Sequence, residues 1–563
     1  MMPLPTHMPA KLTYLIIGVV AIYMWYPLVF ATWGPIDDHE IIKFIGSAER
    51  LPFSNLLRVL EGTEVALDSS CLRFRPSYYF LRALESATWG KNPSLWYGAR
   101  LLLAVSLALS VNALCLRLSF AGTGVSLLFA LAIVSGPYWV DIFARLGPGE
   151  TYAVLGLMLI TFGSWPVLSS ASRIVSSGSA LFISAGVVLA AGSKEVFVLF
   201  SLVPLYLIAN RRLFISLASR LILGLAVLYC AWIVAEVVER LYITGSGRDI
   251  YGQDVSVTFR TTLLLDLISP ATFWRSILAL RDFVVSGDLS GLKQFLINNV
   301  LMFWILWSWL LSISGVFAIL VMCSRVAAGN RVKEPDRMRA RSYAVIGLML
   351  LFIFVSQYLF YAGAWPRTAG RYLFPGVILG QFAMLFLLNA IWFQQPSVRW
   401  LGSMRIATTL ACALTFVFIT VSANGDRIPI YFSHENSKET ARKSNGFVLQ
   451  LETIAKDLKE DSNVPVIIIS HGLGDYEFIF SIATFLRSFD VKNDFSLLMD
   501  GYTDHSYAPG SLSRNLASSL ENIQLHGNSL FSAFMPNTLP NCFSIAINGP
   551  FFEGCSKGLV FRR

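Results

Sequence analysis

The sequence predicts a polytopic α-helical membrane protein of about eleven transmembrane helices, followed by a C-terminal α/β soluble domain on the outer face. Three observations predict it. Hydrophobic residues make up 55% of the 563 residues and charged ones 14%, with a mean hydropathy of +0.60, a profile unlike that of a soluble protein. Long apolar runs recur throughout the first 422 residues. After Ser422 polarity and charge rise, and the pattern becomes that of alternating helix and strand. The chain therefore divides into a membrane part, 1–422, and an outer part, 423–563.

The runs fall near 12–32, 98–116, 119–136, 152–171, 178–193, 196–210, 218–238, 298–323, 343–361, 373–393 and 406–422. About 20 residues at helical rise cross a bilayer. The two runs within 178–210 are the least separated, since only Lys194-Glu195 parts them. The first run is too long for a cleavable signal peptide, and no small-residue cleavage site follows it before Trp33-Gly34-Pro35.

Arginine placement sets the orientation. Connections on one side carry Arg117, Arg173, Arg211, Arg212 and Arg220, the dense run from Arg325 to Arg341, and Arg399 with Arg405. Short connections on the other side carry only Arg145, Lys194, Arg367 and Arg371. The N-terminus is therefore expected in the cytoplasm, with outer loops at 34–96 and 239–297 and the C-terminal domain outside. The net charge of +9 goes with this asymmetry, and a nucleic-acid partner is not expected.

The first outer loop opens with Trp33-Gly34-Pro35-Ile36-Asp37-Asp38-His39-Glu40. Gly34-Pro35 is expected to stop the first helix, leaving three acids and a histidine just outside the hydrocarbon, where charge is rarely kept without a partner or a task. Asp37 or Asp38 should cap an interfacial helix, whose N-terminus favours an ionised carboxylate. Asp38 is the first candidate for a catalytic base, Asp37 the second and Glu40 the third. His39 is a candidate to orient a substrate. The plain alternative is that one aspartate only caps the helix.

Beyond it, Ile41, Ile42, Phe44, Ile45, Leu56, Leu57 and Leu60 recur at helical spacing and predict amphipathic helices at the interface. Arg73 and Arg75, set among aromatics in 72–80, suit a phosphate head group with an apolar tail, or ordinary interfacial anchoring. The remaining outer charges sit at the ends of runs beside Gly and Pro: Arg145 and Glu150 around Leu146-Gly147-Pro148-Gly149, Lys194 and Glu195 after Ser193, and Arg367 and Arg371 between Trp365 and Pro375. All are expected to converge on the mouth occupied by the acidic motif.

In the outer part, 447–458 reads as an amphipathic helix, 465–470 as a buried strand and 478–486 as a helix, which together make one α/β unit. Ser470-His471-Gly472 has no G-x-S-x-G elbow around it, which argues against a hydrolase. Cys542 and Cys555 are a candidate disulfide there. Cys115, Cys230, Cys323 and Cys412 read as small core residues, and no Cys/His cluster predicts a structural metal. No P-loop or dinucleotide fingerprint is present, so a nucleotide donor is not expected.

At these residues the chain resembles the GT-C superfamily of integral membrane glycosyltransferases, such as protein O-mannosyltransferases and bacterial aminoarabinose and arabinosyl transferases. The acidic motif directly after the first span carries the resemblance, with the interfacial helices behind it, the many spans and an outer soluble domain. The resemblance implies an inverting hexosyl- or pentosyltransferase that uses a polyprenyl-phosphate sugar, with a first-loop acid as base and the charges at Arg73, Arg75, Arg145, Glu150, Lys194, Glu195, Arg367 and Arg371 around the substrates. It implies no cofactor, a divalent cation being the one open question, and as partners a lipid-linked sugar donor and membrane lipids. The expected location is a bacterial inner (plasma) membrane. The alternatives are a polymerase or ligase of lipid-linked glycans, and a membrane transporter or flippase using the acids as a proton relay.

Overall fold

Pro27 decides how the first span ends. Helix α1 (Ala10–Trp25) cannot continue through a residue with no N–H to donate, so the chain tightens into a 3-10 stretch, Tyr26–Phe30, and becomes extended at Ala31. The α-helix thus stops well before Gly34-Pro35, where the sequence placed its end. Helix and 3-10 stretch together still make a strongly apolar 21-residue segment, Ala10–Phe30, long enough to cross. The computed structural model describes residues 9–63, 65, 74–118, 123–136, 138–169, 174–210, 213–240, 334–361, 376–392, 429–470, 476–499, 543–547 and 557–561.

The loop after the first helix, expected on the outer face, is itself helical, as its periodicity predicts. It holds α2 (His39–Ile45), α3 (Leu56–Glu61) and α4 (Pro76–Trp89). α2 buries Ile41, Ile42 and Ile45. Phe53 and Leu57 stay 61% and 72% exposed, as befits a segment lying on a membrane surface. Gly46 and Gly90 end α2 and α4 with φ of +63° and +56°, a turn that a Cβ disfavours.

The helices that follow are α5 (Pro93–Leu118), α6 (Thr123–Val134), α7 (Tyr138–Phe143), α8 (Glu150–Ser169), α9 (Ser177–Ala191), α10 (Leu202–Ala209) and α11 (Leu217–Val238). α8 packs closely on α9 because Gly156 and Gly186 face each other, so a Cβ on either would overlap the other's carbonyl. Such small-residue contacts hold membrane helices together where no water drives association.

Two short strands frame the pair of runs at 178–210. β1 (Ile174–Val175) precedes α9 and β2 (Phe214–Ile215) follows α10. Their parallel pairing, Ile174 with Phe214 and Val175 with Ile215, brings both ends of this segment together. The segment between them therefore runs out along α9 and back along the 3-10/α10 stretch, with Lys194 at the turn. Ser176 and Ser216 cap α9 and α11 alike, each accepting an N–H three residues on, from Ser179 and Ser219.

Among the described residues, three helices are long and apolar enough to span: Ala10–Phe30, Pro93–Leu118 and Leu217–Val238. Several others are apolar but shorter, Thr123–Val134 and Ser177–Ala191 among them. α12 (Glu334–Tyr361) and α13 (Gly376–Trp392) pack on each other. The predicted runs 298–323 and 406–422, and the outer segment 239–297, lie outside the described residues.

The α/β pattern read from 465–486 is present. β3 (Val466–Ser470), β4 (Phe495–Met499), β5 (Phe543–Ile547) and β6 (Lys557–Phe561) form a parallel sheet in the order β4-β3-β5-β6. Its central strands read as continuous apolar runs, as strands covered on both faces do. α15 (Tyr476–Ser488) follows β3. The helix before the sheet, α14 (Pro429–Glu460), is much longer than the 447–458 expected. Its first half is polar in sequence because it packs sideways on the first span, where His434 stacks on Tyr23 with centroids 4.3 Å apart. The buried apolar core runs unbroken from Met24 and Trp25 through Phe447 to Ile468. Cys542 and Cys555 lie outside the described residues.

This arrangement predicts a labelling pattern. In a cysteine-free background, single cysteines at Glu49 and Glu452 should react with a membrane-impermeant maleimide from one side of oriented vesicles, and one at Ser177 only from the other. Labelling of all three from one side would contradict it.

Candidate active site

Four segments distant in sequence meet at one end of the helices: the acidic loop 33–40, the face of α4, the Leu146–Glu150 turn and the Gly192–Glu195 turn. The convergence expected of the outer charges is therefore found for Arg75, Arg145, Glu150, Lys194 and Glu195. Arg73, Arg367 and Arg371 lie outside the described residues.

Asp38 sits at the centre and is 0% exposed. Its Oδ2 accepts the Gly34 N–H at 2.6 Å and its Oδ1 the Leu146 N–H at 3.3 Å, with the Tyr97 hydroxyl 3.5 Å away. Although Asp38 stands at the N-cap position of α2, its side chain makes no capping bond. The expectation of a helix cap is corrected here: the carboxylate turns inward and ties the loop after the first helix to the Leu146 turn. Burial raises its pKa to about 7, despite the two N–H donors and Arg82, which pull it down.

Asp37 is different. It is partly exposed and holds φ at +71°, a left-handed backbone that costs a non-glycine residue roughly 1–2 kcal/mol. Asn and Asp adopt it more readily than most, and it persists only where neighbours enforce it. Gly147 is one such neighbour, for a Cβ there would overlap the Asp37 side chain. Likewise a Cβ on Gly149 would come within 2.8 Å of the Ser193 carbonyl oxygen. The two glycines of Leu146-Gly147-Pro148-Gly149 are thus surfaces on which the other turns rest.

Glu40 accepts the Tyr78 hydroxyl at 2.6 Å. Arg82, 0% exposed, donates through Nη2 to that hydroxyl at 3.1 Å and to the Gly147 carbonyl at 2.8 Å. Its guanidinium lies over the rings of Tyr78, Trp96 and Tyr152, 5.1 to 5.9 Å from their centroids. Burial opposes its charge, yet Tyr78, Tyr152, Glu40 and Glu85 outweigh that and keep it protonated. Arg100 forms a two-pronged pair with Glu85 at 3.0 and 2.9 Å and donates to the Tyr152 hydroxyl at 3.0 Å. The Tyr152 hydroxyl also bonds Glu85.

Two of the expected phosphate ligands are engaged with expected substrate-binding acids. Arg75 pairs with Glu195 through Nε at 3.0 Å and Nη2 at 3.3 Å, and Lys194 pairs with Glu150, both residues being buried. Removing one member of a buried pair strands the other's charge, so these four hold the turns together first. Arg145 stands apart, partly buried and with no hydrogen bond or ion pair among the described residues. The His39 Nδ1 lies 3.0 Å from Ser481 Oγ on α15, and burial lowers its pKa. Its ring thus packs toward the C-terminal part.

Tyr78, Arg82, Glu85, Tyr97, Arg100 and Tyr152 were missed by the sequence reading. A signal existed for some of them: Tyr78, Arg82 and Glu85 share one face of α4 at helical spacing, and Arg100 is a charge inside an otherwise apolar run.

No protein-family model and no curated protein matches the chain. Among solved structures, it is similar to ArnT from Cupriavidus metallidurans bound to undecaprenyl phosphate, with 12% identity and a TM-score of 0.42 over 92% of this chain and 89% of that one. It is also similar to the Archaeoglobus fulgidus oligosaccharyltransferase in the apo form, with 13% identity and a TM-score of 0.41 over 88% of this chain and 65% of that one.

The state of Asp38 predicts a pH dependence. Its folded pKa lies above the unfolded value of 3.8, so its contribution to stability is fully present below pH 4 and is lost as pH rises towards 7. The wild-type thermal midpoint in detergent should fall across that window by the equivalent of roughly 3–4 kcal/mol from this group. Asp38→Asn should start lower, because an amide cannot accept both N–H groups, and should lack that component of the slope. Parallel pH curves for the two proteins would contradict it.

Proposed function

We propose that this chain is a glycosyltransferase that moves a sugar from a polyprenyl-phosphate donor to an acceptor at the extracytoplasmic face of a bacterial plasma membrane, with Asp37 as the base. One observation carries the reading: a partly exposed acid and an unengaged cation share one wall. Asp37 rests on Gly147, and Arg145 lies two residues before that glycine. Asp38, ranked first on sequence, is walled in, whereas a base must reach the proton that it takes.

The acceptor hydroxyl or amine gives its proton to Asp37 as its heteroatom bonds to the anomeric carbon. The bond from that carbon to the phosphate oxygen breaks, and its electron pair leaves with the lipid phosphate. Attack in line with the leaving group inverts the centre. Arg145 opposes the growing charge on the phosphate. Arg82, buried beneath Tyr78 and Gly147, stiffens the wall and touches neither substrate. The reading covers hexosyl and pentosyl donors alike, and the acceptor is a lipid, glycan or protein.

A transporter's proton relay is the weaker reading. The buried ionised groups described above gather at one end of the helices, whereas coupled transporters hold theirs near the midplane.

The test is radiolabelled transfer from defined polyprenyl-phosphate sugars. Asp37→Asn should lower transfer on the order of 10²- to 10⁴-fold while the protein still folds, because Asn tolerates the same backbone. Asp38→Asn should lower the midpoint while retaining measurable transfer. Arg145→Ala should weaken donor use by about 1–3 kcal/mol, with Arg145→Lys restoring only part of it. Full activity in Asp37→Asn would remove it as the base.

A further inference from the structure

The acidic loop is gripped from two sides by the C-terminal part of the chain. Upstream of Asp37, Asn445 on α14 accepts the Thr32 N–H at 2.8 Å and donates to the Phe30 carbonyl at 3.2 Å. A Cβ on Gly34 would lie 3.7 Å from Ser444 Oγ, so α14 also passes along the loop itself. Downstream, α15 packs on α2, and its fully buried Ser481 meets His39 Nδ1 at 3.0 Å. Lys91, just past α4, spans the same seam by donating to the Ser47 carbonyl at 3.0 Å and the Ser488 carbonyl at 3.4 Å.

Asp37 lies between these grips, in the one left-handed non-glycine conformation described in the first outer loop. The short-range bonds of residues 31 to 38 include Ala31 to the Leu28 carbonyl, Gly34 to Asp38 and the 37–38 carbonyls into α2. A strained residue persists where its surroundings enforce it, and here those surroundings include the C-terminal part. The hydrogen bonds of Asn445 leave and enter the main chain, so they fix backbone position and not merely side-chain packing. His39 is the second residue after Asp37, and a fixed imidazole therefore limits rotation of the peptide units that follow the acid.

We propose that α14 and α15 form a clamp on the acidic loop, with Asn445 and Ser481 as positioning residues that hold Asp37 at the angle its chemistry needs. The inference rests on the reading of Asp37 as base for its kinetic arm only. It assigns the C-terminal part a role in the transfer step and not in recognising a substrate, because these contacts go to the loop.

The experiment uses the full-length protein in nanodiscs, with Asn445→Ala, Ser481→Ala, Ser481→Thr and His39→Leu, alone and with the Ser481→Ala/His39→Leu double variant. Hydrogen exchange of residues 34–45 is measured beside transfer kinetics. Both alanine variants should speed exchange across 34–45 and lower kcat on the order of 10- to 100-fold, the usual cost of a misplaced group. KM for the donor should stay within about twofold, as expected when binding is uniform and only the transition state suffers. Ser481→Thr, which keeps the hydroxyl, should recover most of the rate. The double variant should lose no more than the worse single one.

Unchanged exchange in both alanine variants overturns the clamp, whatever the activity. So does a rise in KM with kcat preserved, which would put these residues on the substrate path. If the wild type transfers no sugar from any donor tried, the proposed function fails while the exchange result still decides the clamp. Should Ser481→Ala not fold, its thermal midpoint will reveal it, and Asn445→Ala carries the same two predictions from the other side.

Discussion

The buried carboxylate of Asp38 is the constraint on which this end of the helices depends. Two main-chain N–H groups from loops more than a hundred residues apart point at it, one from Gly34 and one from Leu146. Without that acceptor both donors would be buried and unpaired, at roughly 1–3 kcal/mol each. With it, the loop after the first span and the turn before α8 become one wall. Asp37 follows from this geometry: once Asp38 turns inward, the preceding residue must turn out, and it does so over a glycine that has no side chain to obstruct it.

Around that tie the remaining charges neutralise one another in pairs. Glu85 with Arg100, Glu150 with Lys194 and Glu195 with Arg75 join α4, α5, α8 and the Lys194 turn. Such pairs add little net stability compared with apolar packing, but breaking one is costly. They therefore specify which helix ends meet, and they leave few charges uncommitted. Arg145, which makes no hydrogen bond or ion pair among the described residues, lies two residues before the glycine against which Asp37 packs, and the chemistry is assigned to these two.

Much of this was legible before any coordinates. Among the described residues, the apolar runs located the helices, the period of Ile41 to Leu60 located the short helices after the first one, and the apolar 465–470 stretch located a strand. Among the described residues, the charges at Arg145, Glu150, Lys194 and Glu195 did converge. What misled was the assumption that residues called acidic face solvent. Nothing in Asp37-Asp38 tells which carboxylate turns in, because that depends on Leu146, far along the chain. Arg75 and Lys194 were read as free cations for the same reason, since their partners Glu195 and Glu150 lie on other turns. Pro27 was passed over in favour of Gly34-Pro35, although a proline inside an apolar run is the stronger stop for a helix. The polar first half of α14 was not read as helix because its partner is the first span and not its own sheet.

The central claim is that Asp37 and Arg145 face one substrate site while Asp38 stays buried behind them. An experimental structure of the protein in nanodiscs with an added polyprenyl phosphate tests it most directly. The account predicts a phosphate within hydrogen-bonding distance of Arg145, the Asp37 carboxylate open to the same cavity, and Asp38 still accepting from Gly34 and Leu146. A phosphate bound away from Arg145, with Asp37 sealed from it or Asp38 turned out towards it, would contradict the account.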